Sequence, residues 1–149
     1  MDSTNSLYEH IKNRLPTGYN YGDDNNNIIT NSDGYEETDH QVWESSIREY
    51  SQGDVGIFIQ SEQILKTKSV EIGYRALVNV VVIVNNGNIT SARDFAKELK
   101  NKLNSDVESE RIKVHTVKFD MLYRQLGLNS AGYQVVEIPF TIDYTDKFI

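Results

Sequence analysis

His10, His40 and His115 are the side chains in this chain best suited to bind a metal or move a proton near neutral pH. No two of them stand at the His-x-x-x-His spacing that sets a pair of imidazoles on one helix face for zinc. They fall on a predicted helix, in an acidic loop and on a predicted strand, and each reads as a surface or sheet histidine. The acidic loop also invites a calcium reading, because Asn31, Asp33 and Gly34 occupy the third, fifth and sixth places of an EF-hand loop. In that frame the first place is Ile29 and the twelfth is His40. A frame starting at Asp23 fares no better, with Ile28 at the required glycine and Gly34 at the required glutamate. Glu36 and Glu37 form an acid pair, but their surroundings are too polar to desolvate a carboxylate and raise its pKa for acid–base work. Gly127 to Gly132 lacks the lysine of a phosphate loop, no Gly-x-Ser-x-Gly elbow occurs, and the chain has no cysteine. Asn88-Ile89-Thr90 is a glycosylation sequon that reads more simply as a turn leading into a helix. The chemistry therefore points to no catalytic residue, no metal and no cofactor. An enzyme would need a site assembled from scattered residues, and a cleft bringing His115 to a carboxylate would be its sign.

The elements that would position such residues are patterned more clearly than the residues themselves. Ser6 and Glu9 form a capping box, and Leu7, Ile11 and Leu15 share a helical face, so Asn5 to Leu15 is a predicted helix stopped by Pro16 and Gly18. Val55, Ile57 and Ile59 alternate across a strand at Asp54 to Gln60. In the next strand Ile72, Tyr74, Ala76, Val78, Val80, Val82 and Val84 line one face. Leu77, Val81 and Ile83 make the far half of the other face apolar too, so that half should also be covered. Ser91 and Asp94 open a second helix, with Ala92, Phe95, Ala96, Leu99 and Leu103 inward and Arg93, Lys97, Lys100 and Lys102 outward. Ile112 and Val114 are out of phase with Val117 and Phe119, which implies a bulge or a change of covering within one strand. Val136, Ile138, Phe140, Ile142 and Tyr144 form a closing strand. Pro139 cannot donate to a ladder, so that strand lies at an edge or turns the missing donor outward. The resulting fold class is α+β: a mostly antiparallel sheet of about four strands with two helices on one face.

A chain of 149 residues makes one domain spanning residues 1–149. It lacks an apolar run long enough to cross a bilayer, and a polar start at Met1 to Asn5 reads as soluble and unsecreted. Its charge of −7 is localised: residues 19–50 carry eight acids against Arg48 alone, a balance of −7, while the remainder has fourteen bases and fourteen acids. That argues against sequence-specific nucleic-acid binding, which needs a basic patch. It also marks 19–50 as an acidic insert, a long loop that is flexible or ordered by a partner. Within it Ile28, Ile29, Tyr35, Val42 and Trp43 could dock on the chain's own core or on another subunit.

The first helix, Gly56 to Ile59, the run Gly73 to Val82, the helix from Ser91 to Leu103 and the closing Ala131 to Tyr144 together resemble the tail terminator proteins of tailed bacteriophages, also called minor capsid or tail completion proteins. The likeness covers about residues 54–145 plus the first helix and leaves the acidic insert unmatched. It implies a non-enzymatic virion protein that forms a homo-oligomeric ring, a hexamer in this family. Such a ring caps the tail tube, ends its polymerisation and provides the surface that joins the head. The implied partners are the chain itself, the tail tube protein and a head-completion or connector protein. DNA would pass through the ring without being read, and no membrane is involved. The location would be the virion tail, with the host cytoplasm during assembly. The rivals are another head–tail connector or tube component, an enzyme, and a calcium- or ligand-binding module.

A ring of this kind closes through two different complementary patches on each subunit. The sequence offers the charged outer face of the second helix and the apolar connection containing Met121, Leu122, Tyr123, Leu126 and Leu128. Tyr35 and Trp43 of the insert are further contact candidates. The alternative is that the 121–128 connection simply covers its own sheet.

Overall fold

A computed structural model of the chain describes residues 7–22, 28–30, 36–38, 52–68, 71–84, 89–104, 111–120, 124–128 and 132–147. The order is helix α1 (Leu7–Lys12), strands β1 (Asn20–Tyr21), β2 (Ile28–Thr30), β3 (Glu36–Thr38), β4 (Asp54–Lys68) and β5 (Glu71–Val84), helix α2 (Ile89–Leu103), then β6 (Ile112–Phe119), β7 (Arg124–Leu128) and β8 (Gln134–Asp146). The fold is α+β, as the alternation of strand and helix periods requires. Among the described residues the main sheet has six strands rather than about four, in the order β1-β4-β5-β8-β6 with β7 also on β8. All pairings in it are antiparallel except β1 with β4. The strands missed by the sequence reading are short: two residues in β1 and five in β7. Two residues cannot display a period of two, and in β7 only Leu126 and Leu128 alternate, inside a connection that is apolar on both sides of the period.

The core lies between the two helices and one sheet face. Ala76, Val78, Val80, Val82 and Val84 of β5 and Val136, Ile138, Phe140, Ile142 and Tyr144 of β8 are buried against Leu7, Tyr8 and Ile11 of α1 and the inward residues of α2. Burying each large aliphatic or aromatic side chain there is worth about 1.5 to 3 kcal/mol. Helix α2 begins at Ile89, two residues before the Ser91 start expected of a capping box, so Ser91 lies inside its first turn. His10 departs from the expected surface position. Four of the six residues of α1 are buried and His10 is one of them, since so short a helix sunk into the core leaves little outer face.

Two irregularities reconcile the strand patterns. A register shift between Val114 and Thr116 makes His115 a bulged residue, and the one-residue slip returns Val117 to the core face beside Ile112 and Val114. The bulge that the phase change in this strand implies is thus present. Pro139, by contrast, lies in an interior strand, with β5 on one side of β8 and β6 and β7 on the other. Strand β6 ends its pairing at Phe119 opposite Phe140, and β7 resumes opposite Glu137. The Pro139 carbonyl accepts the Asp120 N–H at 3.1 Å, so the proline nitrogen, which shares that side of the strand, faces the interruption between β6 and β7. The stretch read as a loop is therefore partly strand.

The second sheet face is covered over half its length, where Phe58, Val81, Ile83 and Val135 pack with Tyr133. Leu77 is not part of that cover and is 46% exposed, against the expectation for its face. Within residues 19–50, expected to be loop, β1 pairs with β4 and β2 pairs with β3. The Thr38 hydroxyl accepts the Ile57 N–H at 3.2 Å and donates to the Tyr21 hydroxyl at 2.8 Å, tying β3 to the outer edge of β4. Gly53 leads into β4, its N–H donating to the Ile83 carbonyl and its carbonyl accepting the Asn20 N–H. Its φ is +92°, and a Cβ there would lie 2.7 Å from the Gly18 carbonyl oxygen. Gly53→Ala is expected to lower stability by about 1 to 3 kcal/mol, read as a drop in the urea midpoint, because both the left-handed backbone and a rigid backbone atom oppose the methyl.

Candidate functional site

Alternation along β5 and β8 assigns Gly73, Arg75, Asp143 and Thr145 to the sheet face away from the helices, with Gly73 opposite Thr145 and Arg75 opposite Asp143. Strand β4 adds Lys66 opposite Gly73. Because Gly73 has no side chain, the sheet surface dips there. The result is a cleft of about 380 Å³ bordered by Leu65, Lys66, Glu71, His115, Asp143 and Thr145. A Cβ at Gly73 would meet the Lys66 Cβ at 3.4 Å, an ordinary contact, so the hollow and not backbone strain is what this glycine provides.

The bulge re-aims His115 across the strand boundary, and its Nε2 lies 2.6 Å from the Thr145 Oγ1. This is the spacing of a base and a hydroxyl nucleophile. The carboxylates of the cleft are not aligned with that pair: among the described residues no carboxylate is hydrogen-bonded to His115. Asp143 is held instead by Arg75, whose Nε and Nη2 donate to its two oxygens at 2.8 and 3.0 Å. Those hydrogen bonds, with a further one from Thr116, hold the Asp143 carboxyl below its usual value of 3.8 despite some burial that acts the other way. A carboxyl lowered in the folded state stabilises the fold above its unfolded value and loses that contribution as pH falls through the lowered one. The stability advantage of wild type over Asp143→Asn is therefore expected in full above about pH 4 and to vanish on further acidification, measured as urea midpoints against pH. It will be small, since both partners remain partly exposed.

Beneath the cleft the helix-side face is locked by different contacts. Tyr144 is buried, stacks on Tyr74 with ring centroids 5.2 Å apart, and donates its hydroxyl to Glu62 at 2.7 Å. Beside it Asp146 is buried and takes two hydrogen bonds from Arg111, at 2.5 and 3.0 Å. The Lys147 N–H donates to the Arg111 carbonyl at 2.8 Å and completes the strand end.

Large apolar side chains are exposed in this same half of the β4–β5 hairpin. Ile64 is 60% exposed and Leu65, a bulged residue, 47%. They were not among the contact residues suggested by sequence, because both lie in a stretch whose two bulges erase the alternation that would have marked it. Of the suggested contacts, Tyr35, Trp43, Met121, Leu122 and Tyr123 lie outside the described residues. Leu126 and Leu128 belong to β7, and their side chains lie outside the description as well. The calcium candidates Asn31, Asp33 and Gly34 and the third histidine, His40, also lie outside it. Among the described residues there is no cluster of three His, Asp or Glu side chains able to hold a metal ion. No helix among them is long and apolar enough to cross a membrane.

The cleft thus combines hydrogen-bonding groups of both charges with adjoining exposed apolar residues, a composition suited to contact with another protein surface. No protein-family model matches the sequence, and no curated protein matches it.

Proposed function

We propose that this chain is a structural, non-enzymatic subunit of a tailed-phage virion, a tail terminator that assembles into a ring, caps the tail tube and offers the head-joining surface. The observation that carries the assembly part is the exposure of Ile64, Leu65 and Leu77 on one half of the hairpin that forms the body of the sheet. Side chains of this size left in water on a rigid sheet favour a protein contact over a solvent role. The terminator part rests on the order of the elements, an N-terminal helix, a long hairpin, one helix and a closing strand, which is the order on which the sequence resemblance to that family was drawn.

In this reading the partners are further copies of the chain, the tube protein and a head-completion or connector protein, and DNA is threaded but not read. The working location is the virion tail, reached from the host cytoplasm. Native mass measurement of the purified protein should give a closed ring, and mixing it with tail tubes should leave it at tube ends only, seen by electron microscopy. Incorporation along the length of the tubes would instead identify a tube component. A hydrolytic role would rest on the His115–Thr145 contact. Turnover of an activated ester by the pure protein, lost in Thr145→Val, would establish that role and displace the structural one.

A further inference from the structure

Two edges of the main sheet lie level with each other. On the β4 side, β1 pairs only with Asp54 and Val55, and β3 reaches Ile57 through Thr38. Beyond these, from Ser61 to Thr67, β4 pairs only with β5 among the described strands, and Gln63 to Thr67 are exposed without a break. An uninterrupted exposed run means that both faces of the strand are open there. On the other side β6 pairs only with β8 among the described strands, and Lys113, His115, Thr116 and Lys118 are exposed. Thr67, Ile72, Asp146 and Ile112 form one row across the four strands, and Ser61, Leu77, Thr141 and Lys118 form another. The two edges therefore span the same rows.

They also share an irregularity. Between those two rows β5 and β8 each use six residues, whereas β4 and β6 each use seven. The extra residue is Leu65 in β4 and His115 in β6, and both bulges adjoin the row of Ile64, Tyr74, Tyr144 and Val114. A bulge puts an edge out of step with a regular strand, which guards it against indiscriminate pairing. Two bulges at one height stay in step with each other. Three successive antiparallel pairings lead from β4 to β6, so the two edges run in opposite directions. A second copy set alongside would thus bring its β6 to β4 in the antiparallel sense, like the long strands within the sheet.

We propose that the β4 edge from Ser61 to Thr67 is an interaction surface whose partner is the β6 edge of a second copy of this chain, so that the sheet continues from one subunit into the next. Ile64 ends the apolar row of Val114, Tyr144 and Tyr74 and is 60% exposed. In the contact it lies level with Val114 of the next copy and the row runs on. Charge does not drive the pairing. Lys66 comes level with the next copy's Lys113, Arg75 already holds Asp143, which also lies near Lys118, and Glu62 already accepts the Tyr144 hydroxyl. Backbone hydrogen bonds and the cover given to Ile64 supply the affinity, as in strand addition to a sheet edge. Unlike edges meeting head to tail form a heterologous contact, the kind that can close into a ring. The inference deepens the assembly reading and rests on its premise that copies of the chain meet one another.

The chain has no cysteine, so introduced pairs report the contact without background. Thr116→Cys is combined in turn with Gln63→Cys and Ser61→Cys, and Lys118→Cys with Gln63→Cys, which covers the level register and a slip of two residues either way. Within one subunit each pair is separated by three strand spacings, about 14 Å, beyond the roughly 7 Å that a disulfide spans. Under mild oxidation one of the three double variants, folded by circular dichroism, is expected to give covalent oligomers larger than a dimer that reductant dissolves. The single-cysteine variants are expected to stay uncrosslinked. Self-association with no crosslink in any double variant, or a single variant that crosslinks as fully as a double one, would overturn the edge pairing. In the first case rings that still cap tail tubes would leave the terminator reading standing. Crosslinked rings that ignore tail tubes would overturn the terminator reading and leave this contact standing, and a protein that stays monomeric throughout would overturn both.

Discussion

Arg111→Ala is expected to lower the free energy of unfolding by about 3 to 5 kcal/mol, a large part of the roughly 5 to 15 kcal/mol typical of a domain. The Asp146 side chain is 3% exposed and that of Arg111 13%, and two hydrogen bonds join them. Deleting the guanidinium leaves a buried carboxylate with its cation gone. The loss belongs to that stranded charge more than to the net worth of the pair. Replacing both partners, Arg111→Leu with Asp146→Leu, should therefore cost much less than the single change. Urea denaturation of the two variants decides it: equal losses would mean that the pair contributes packing and not charge compensation.

Phe95→Ala is expected to cost about 3 to 5 kcal/mol as well, through a cavity and not through charge. Phe95 is buried in the middle of α2 and meets the Tyr19 ring at 4.7 Å between centroids. It thereby joins the helix to the segment that leads into β1. Lys97, two residues on, is exposed, and Lys97→Ala should change stability by no more than about 0.5 kcal/mol. Thermal unfolding that gave equal losses for the two would contradict the burial of Phe95.

Long elements with strict periods were legible before any coordinates. Ala76 to Val84 on the even face of β5, the inward set of α2 and the alternation of β8 lie in the core as their spacing indicates, while Tyr74 is only partly buried against it and Ile72, at the end of that face, is not part of it. The out-of-phase apolar residues of β6 likewise announced the bulge at His115. What escaped was anything defined by pairing across the chain. Gly73, Thr145 and Asp143 carry no motif, and only the register of β5 with β8 places them around one hollow. Of the two places open to Pro139 the edge is excluded, and the missing donor instead points away from the ladder. The rule that proline avoids interior strands is a statement about one missing N–H, and here the neighbouring strand is broken where that N–H would point. His10 shows the limit of residue type as a guide, because a polar ring can be enclosed when a helix of six residues is nearly surrounded.

The position of β8 bears on how the chain acquires this shape. It is the last described strand to be synthesised, yet it lies between β5 and β6, which do not pair with each other. A chain emerging from its N-terminus holds the β4–β5 hairpin and α2 early, but the Val- and Ile-rich edge of β5 waits for a partner fifty to seventy-four residues downstream, from Val84 opposite Gln134 to Ile72 opposite Asp146. Pairings this distant in sequence close slowly and leave an adhesive edge exposed in the interval. Release of an unfinished chain thus yields a sticky hairpin and not a smaller working subunit, and the last strand in the described order acts as the checkpoint for the whole sheet.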